Sequence, residues 1–149
     1  MKLESFASPN EDKFKAALYI GEWTSRRMAD DRAIFRQVRR RGLAGFRQAY
    51  LEPRQHDAIR RVLDFLEELS EDMNNGKVDS KLIYAAMGSS LRRAWERTEA
   101  FISSQREETG NRSFMINLEE AYHSYVASPQ YDKRDTRISE EKEAEVRLK

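Results

Sequence analysis

Arginine carries the clearest chemical signal in this sequence. Residues 26–61 hold eleven arginines, no lysine and four acids (Asp30, Asp31, Glu52 and Asp57), a segment charge of +7 in a chain whose net charge is +1. The acids gather downstream, where residues 62–127 carry −5. A guanidinium forms planar paired hydrogen bonds with a carboxylate or phosphate and stacks on aromatic rings, which an ammonium does less well. Such a block has four uses that the sequence leaves open. It can neutralise acids of its own chain such as Glu67, Glu68, Glu71 and Asp72, face a second copy, contact an acidic protein, or bind phosphate and nucleic acid. A nucleic-acid-binding domain usually has a pI above ~9, with aromatics or donors interleaved among its basic residues. Here the pI is 8.0, and Phe35, Phe46 and Tyr50 fall at apolar-face spacing.

Other constellations are thinner. Glu119, Glu120 and His123 contain a Glu-x-x-His step, which sets a carboxylate and an imidazole one helical turn apart, as carboxylate-bridged di-iron bundles require. Those sites repeat the step and add two glutamates, whereas the second histidine, His56, has Pro53 three positions earlier. Glu67 and Glu71 fall opposite the Leu63, Leu66 and Leu69 stripe and read as a solvated face rather than an acid–base pair. The absence of cysteine removes disulfides, thiolate nucleophiles, iron–sulfur clusters and thiolate zinc sites. Gly42 and Gly45 lack the lysine of a phosphate loop, and no Gly-x-Ser-x-Gly elbow occurs. The expectation is a non-enzymatic protein with no catalytic residues, metal or cofactor.

The elements that must position these groups read as helices. The chain has 149 residues, 36% of them charged, with a mean hydropathy of −0.86. A chain of this length buries roughly two-thirds of its unfolded surface in a single core. Three prolines and six glycines leave little turn material for a β sandwich. Ser8-Pro9-Asn10-Glu11 has the form of a capping box, and Phe14, Ala17, Leu18 and Gly21 follow at helical spacing, with Ile20 and Trp23 widening that face. Thr24-Ser25 caps a second helix whose apolar stripe, Met28, Ile34, Phe35 and Val38, is narrow. Leu43, Phe46 and Tyr50 add one or two turns. From Pro53 the stripe Ile59, Val62, Leu63, Leu66, Leu69 and Met73 defines a core helix. Gly88-Ser89-Ser90 separates a short helix from a long one, in which Trp95 aligns with Leu91, Thr98 and Ile102 to fill the core. Arg92 and Glu96 pair at i, i+4, while Arg93 and Arg97 repel at the same spacing and call for a partner.

The spacing thus predicts an all-α compact bundle of about six helices, 9–23, 25–41, 54–74, 79–87, 89–109 and 112–127. The bundle domain covers residues 1–131 and a charged tail, flexible or frayed, covers 132–149, where 12 of 18 residues are charged. An extended helical hairpin completed in a dimer is the alternative architecture. No apolar run approaches the roughly 18 residues of a membrane span, and the first ten residues lack the form of a signal peptide. A cytoplasmic location is expected.

The order Val62-Leu63-Asp64-Phe65-Leu66-Glu67, Asn75-Gly76-Lys77-Val78-Asp79, Ala94-Trp95-Glu96-Arg97 and Glu107-Glu108-Thr109-Gly110-Asn111 resembles a family of small helical bacterial and phage proteins, the domain of unknown function DUF4760. The segment 18–38 is similar to the first two helices of that family. The resemblance implies a helical fold and no catalytic residues. Many relatives of this type carry an N-terminal membrane helix, and this chain shows none.

The functional expectation is a protein-binding or regulatory module whose contact surface is the second helix and the following loop, centred on Arg36, Arg39, Arg40, Arg47, Phe46 and Tyr50. The partner is an acidic protein or a second copy of the chain. Nucleic acid bound through the same segment is the alternative.

Overall fold

Helix ends follow the capping residues. In the computed structural model, which describes residues 9–131, helix α1 spans Pro9–Trp23 and α2 spans Arg26–Arg39, the latter begun by Ser25, whose Oγ accepts from Met28 N–H at 3.3 Å. Helix α3, Gly42–Ala49, turns away at Gly42, whose φ of 66° favours glycine. Helix α4, Pro53–Asn74, opens with Pro53 at its start, and Glu52 accepts from Arg54 and Gln55 N–H. Helix α5, Ser80–Thr109, is capped by Asp79 and closed by the left-handed Gly110, φ 72°. Helix α6 spans Ile116–Val126. No strand occurs among the described residues.

The stripe of α4 becomes the centre of the core, with Ile59, Val62, Leu63, Leu66 and Leu69 fully buried. Burying one such side chain is worth about 1.5–3 kcal/mol, so this single helix face supplies much of the driving force. Helices α2 and α6 pack on α4, while α1, α3 and α6 pack on α5. Beyond the core, Asp79 N–H donates to the Asp12 carbonyl at 3.2 Å and Tyr19 donates to Asp72 at 2.6 Å, tying α1 to the α4–α5 corner. At the α5–α6 contact, buried Arg92 donates to Glu96 Oε1 at 2.7 Å, and Tyr122 donates to Glu96 Oε2 at 2.8 Å.

Four sequence expectations change. The segments 79–87 and 89–109 form one continuous helix, because Gly88 serves contact rather than termination: a Cβ there would lie 2.6 Å from the Tyr125 ring. The Phe14, Ala17, Leu18, Gly21 stripe of α1 faces outward, with Phe14 64% and Leu18 57% exposed. The parallel stripe Ala16, Tyr19, Ile20 and Trp23 turns inward instead. Residues 112–115 form a turn rather than the start of the last helix, ending at Met115 with φ 59°. Finally, Glu67 is not a solvated surface acid. Its carboxylate accepts from Leu118 N–H at 2.7 Å and from the backbone and side-chain N–H of Asn117 at 3.2 Å, capping α6 from across the bundle. The Ser8 capping box and the charged tail 132–149 lie outside the described residues.

Candidate anion-binding site

Arg32, Arg36, Arg39 and Arg40 recur at steps of four, three and one along α2, which sets them on one side of that helix. On α5, Ser90, Arg93, Ala94 and Arg97 recur in the same way. Ser90 and Ala94 are small and leave room between the two rows. The result is a cleft of about 80 Å³ lined, among the described residues, by Trp23, Arg32, Phe35, Arg36, Arg39, Ser90, Arg93 and Ala94, four arginines and no carboxylate.

The electrostatics of this cleft are those of crowded like charge. Arg39 is half-buried, and its guanidinium is pulled down to about 10, first by burial and then by Arg93, Arg97, Arg36 and Arg40. Arg32 sits 5.5 Å from the centroid of Trp23, which stacks on Phe65 at 5.6 Å. That contact steadies a cation without neutralising it. Arg32 Nε is buried and has no hydrogen-bond partner among the described residues.

Of the six residues expected at the partner surface, the structure brings Arg36 and Arg39 into the cleft and leaves Arg40 exposed outside its lining, at the C-cap of α2. Arg47 is exposed on α3 and donates to Ser104 on α5 at 3.0 Å. Phe46 is a correction: it is fully buried, stacked on Phe101 at 5.1 Å and edge-on to Phe35 at 5.8 Å, because the α2–α3 turn at Gly42 folds this segment back into the core. Tyr50 is half-buried, with its ring edge-on to Phe101 at 4.9 Å and to His56 at 4.3 Å. Both aromatics support the wall of the bundle from within. Arg32, Arg93 and Trp23 complete the cleft and were not anticipated. For Arg93 the repulsive spacing with Arg97 was a signal, whereas Trp23 read only as part of the apolar face of the first helix.

The acids of α4 do not form a lattice with the α2 arginines of the cleft. Glu67 caps α6, and Asp72 receives Tyr19 and lies 3.7 Å from Lys15. The α2–α4 ion pair has the reverse sense, since buried Asp31 of α2 accepts two hydrogen bonds from Arg61 of α4, Nε to Oδ2 at 2.7 Å and Nη2 to Oδ1 at 2.9 Å. That bond raises the Arg61 guanidinium above its ordinary value. A larger groove of about 550 Å³ beside this pair is lined by five acids and three arginines, so its charges largely cancel. Exposed His123 lies 4.0 Å from Glu119, whose carboxylate is held by Arg106 at 2.8 Å. Among the described residues no three histidine or carboxylate groups are placed to hold a metal ion, and no helix is long and apolar enough to cross a membrane.

A family model described as a domain of unknown function, DUF4760, matches residues 5–124. The chain belongs to the DUF4760 family. The DUF4760 match contains every residue that lines the cleft, and the family description assigns no activity to any of them. No curated protein and no solved structure matches the chain.

Proposed function

We propose that this DUF4760 chain is a non-enzymatic binding module that engages an acidic protein partner through the arginine-rich face of α2 and the middle of α5. The observation that carries this reading is the cleft in which Arg32, Arg36, Arg39 and Arg93 meet with no carboxylate among the described lining residues. Gathering like charges and half-burying one of them weakens the fold, and groups that do so commonly serve a site. A partner's anionic groups would gain charge-assisted hydrogen bonds from these guanidinium groups.

The test replaces Arg36, Arg39 and Arg40 together by Gln and compares partner capture with melting temperature. Lost capture with an intact fold supports the reading; unchanged capture refutes it. Salt distinguishes the nucleic-acid alternative through the same face. A complex built on many phosphate contacts weakens by orders of magnitude between ~50 and ~200 mM salt and disappears on nuclease treatment, whereas a protein interface survives the nuclease and weakens less.

A further inference from the structure

We infer that the cleft between α2 and α5 is a receptor for a phosphate dianion, free or borne as a monoester, held by Arg32, Arg36, Arg39 and Arg93. The inference rests on the proposed partner-binding face and names the chemical group that this face recognises.

Three observations lead there. The first is the orphaned donor. A buried guanidinium N–H without an acceptor carries the full desolvation penalty of that group, so folded proteins rarely keep one. Arg106 also leaves one buried donor, Nη2, without a partner, but the rest of its guanidinium is held, Nε donating to the Phe114 carbonyl at 2.8 Å and Nη1 to Glu119 at 2.8 Å. Arg32 Nε has no such acceptor among the described residues.

The second is charge. Four guanidinium groups line one small space, more than a single carboxylate can satisfy with its two oxygens. A phosphate monoester carries about −1.5 to −2 charge and three strong acceptor oxygens, the combination that arginine clusters recognise. The Ser90 hydroxyl adds a neutral donor on the α5 side.

The third is size. A space needs roughly 10–15 Å³ to admit one water, so about 80 Å³ admits a tetrahedral oxyanion. Pockets for drug-sized ligands run to roughly 300–1,000 Å³. The cleft therefore takes the charged group alone, and whatever bears the phosphate stays outside.

Calorimetric titration of the whole chain with inorganic phosphate, and with a phosphoserine peptide and its unphosphorylated form, tests this at constant ionic strength set by chloride. Saturable phosphate binding is expected, weakened at least tenfold in Arg32→Gln and unchanged in Arg112→Gln, which lies outside the cleft. Arg32→Lys keeps the charge but loses the planar fork and should bind several-fold more weakly, which covers the case in which Arg32→Gln does not fold. Equal affinity for inorganic phosphate and phosphopeptide identifies a free phosphate ligand, and much tighter peptide binding identifies a modified partner side chain; both support the dianion. No binding of either probe, or binding indifferent to Arg32, overturns it. If the probes fail while the Arg36, Arg39, Arg40 triple variant still loses its partner, the subsite is wrong and the face stands. If phosphate binds while the triple variant keeps its partner, the subsite stands and the proposed partner face fails.

Discussion

The carboxylate of Glu67, in the middle of α4, receives the backbone N–H of Leu118 at 2.7 Å and so caps a helix that begins fifty residues later. Helix α6 needs this help, because its own N-cap position is Met115, which has no side-chain acceptor for the open N–H groups. Glu67→Ala should cost about 0.5–2 kcal/mol, the range for lost helix caps. Chemical denaturation measures it, and an unchanged midpoint would show that α6 holds its end without Glu67.

Gly88→Ala should destabilise the protein although the same change in an open helix normally gains about 1 kcal/mol. The added methyl meets the ring of Tyr125 at 2.6 Å, and that ring is buried among Tyr84 and Tyr131. Combining Gly88→Ala with Tyr125→Ala should shrink the penalty of the glycine change. Simple additivity in the thermal melts would refute the steric account.

Stability should fall above pH 10 partly through Tyr19 and Tyr122. Burial, followed by hydrogen bonds to Asp72 and Glu96, raises both phenols above the ordinary value of 10.0. The folded state thus favours the protonated phenols. Their contribution is complete below the unfolded pKa and is lost as pH rises from there through the folded one. The Tyr19→Phe, Tyr122→Phe double variant should lose stability less steeply between pH 10 and 12, and equal slopes would exclude these two groups.

Arg39→Met should raise the melting temperature at low ionic strength. The folded-state pKa of Arg39 is lowered, so its charge opposes folding below about pH 10, and the opposition eases as pH rises toward the unfolded value. Burial is the larger cause and does not respond to salt, but added salt screens the share that comes from Arg93, Arg97, Arg36 and Arg40 and should narrow part of the gap between wild type and variant. A melt several degrees lower in the variant would make Arg39 a structural residue.

Phe14→Ser and Leu18→Ser should each change stability by only about 0.5 kcal/mol or less, as exposed substitutions do, whereas Phe46→Ala should cost about 3–5 kcal/mol. The contrast inverts the sequence reading of these three residues, and denaturant midpoints decide it.

That inversion shows where the sequence was legible. The cap at Ser25 and the α4 stripe act locally, through hydrogen bonds and spacing within one helix, and they appear as read. Helix α1 offers two apolar stripes of equal period, 14/17/18/21 and 16/19/20/23, and only tertiary packing chooses between them. Gly88 and Gly45 are helical glycines kept for close approach, a Cβ at Gly45 falling 2.8 Å from the Val38 carbonyl oxygen, and sequence alone cannot separate that role from a helix break. The candidate site was half legible for the same reason. Its α2 arginines lie within one segment, while Arg93 and Trp23 join them only through the packing of the bundle.

The packing of the first helix on the fifth has a consequence for the order of events in the cell. A chain leaves the ribosome amino end first, at about 5–20 residues per second. Tyr19, Ile20 and Trp23 emerge early, yet the core they join is incomplete until α5 has been synthesised several seconds later. The interval in which this protein is most exposed to aggregation therefore falls during its own translation, and slowing the ribosome between α1 and α5 lengthens it.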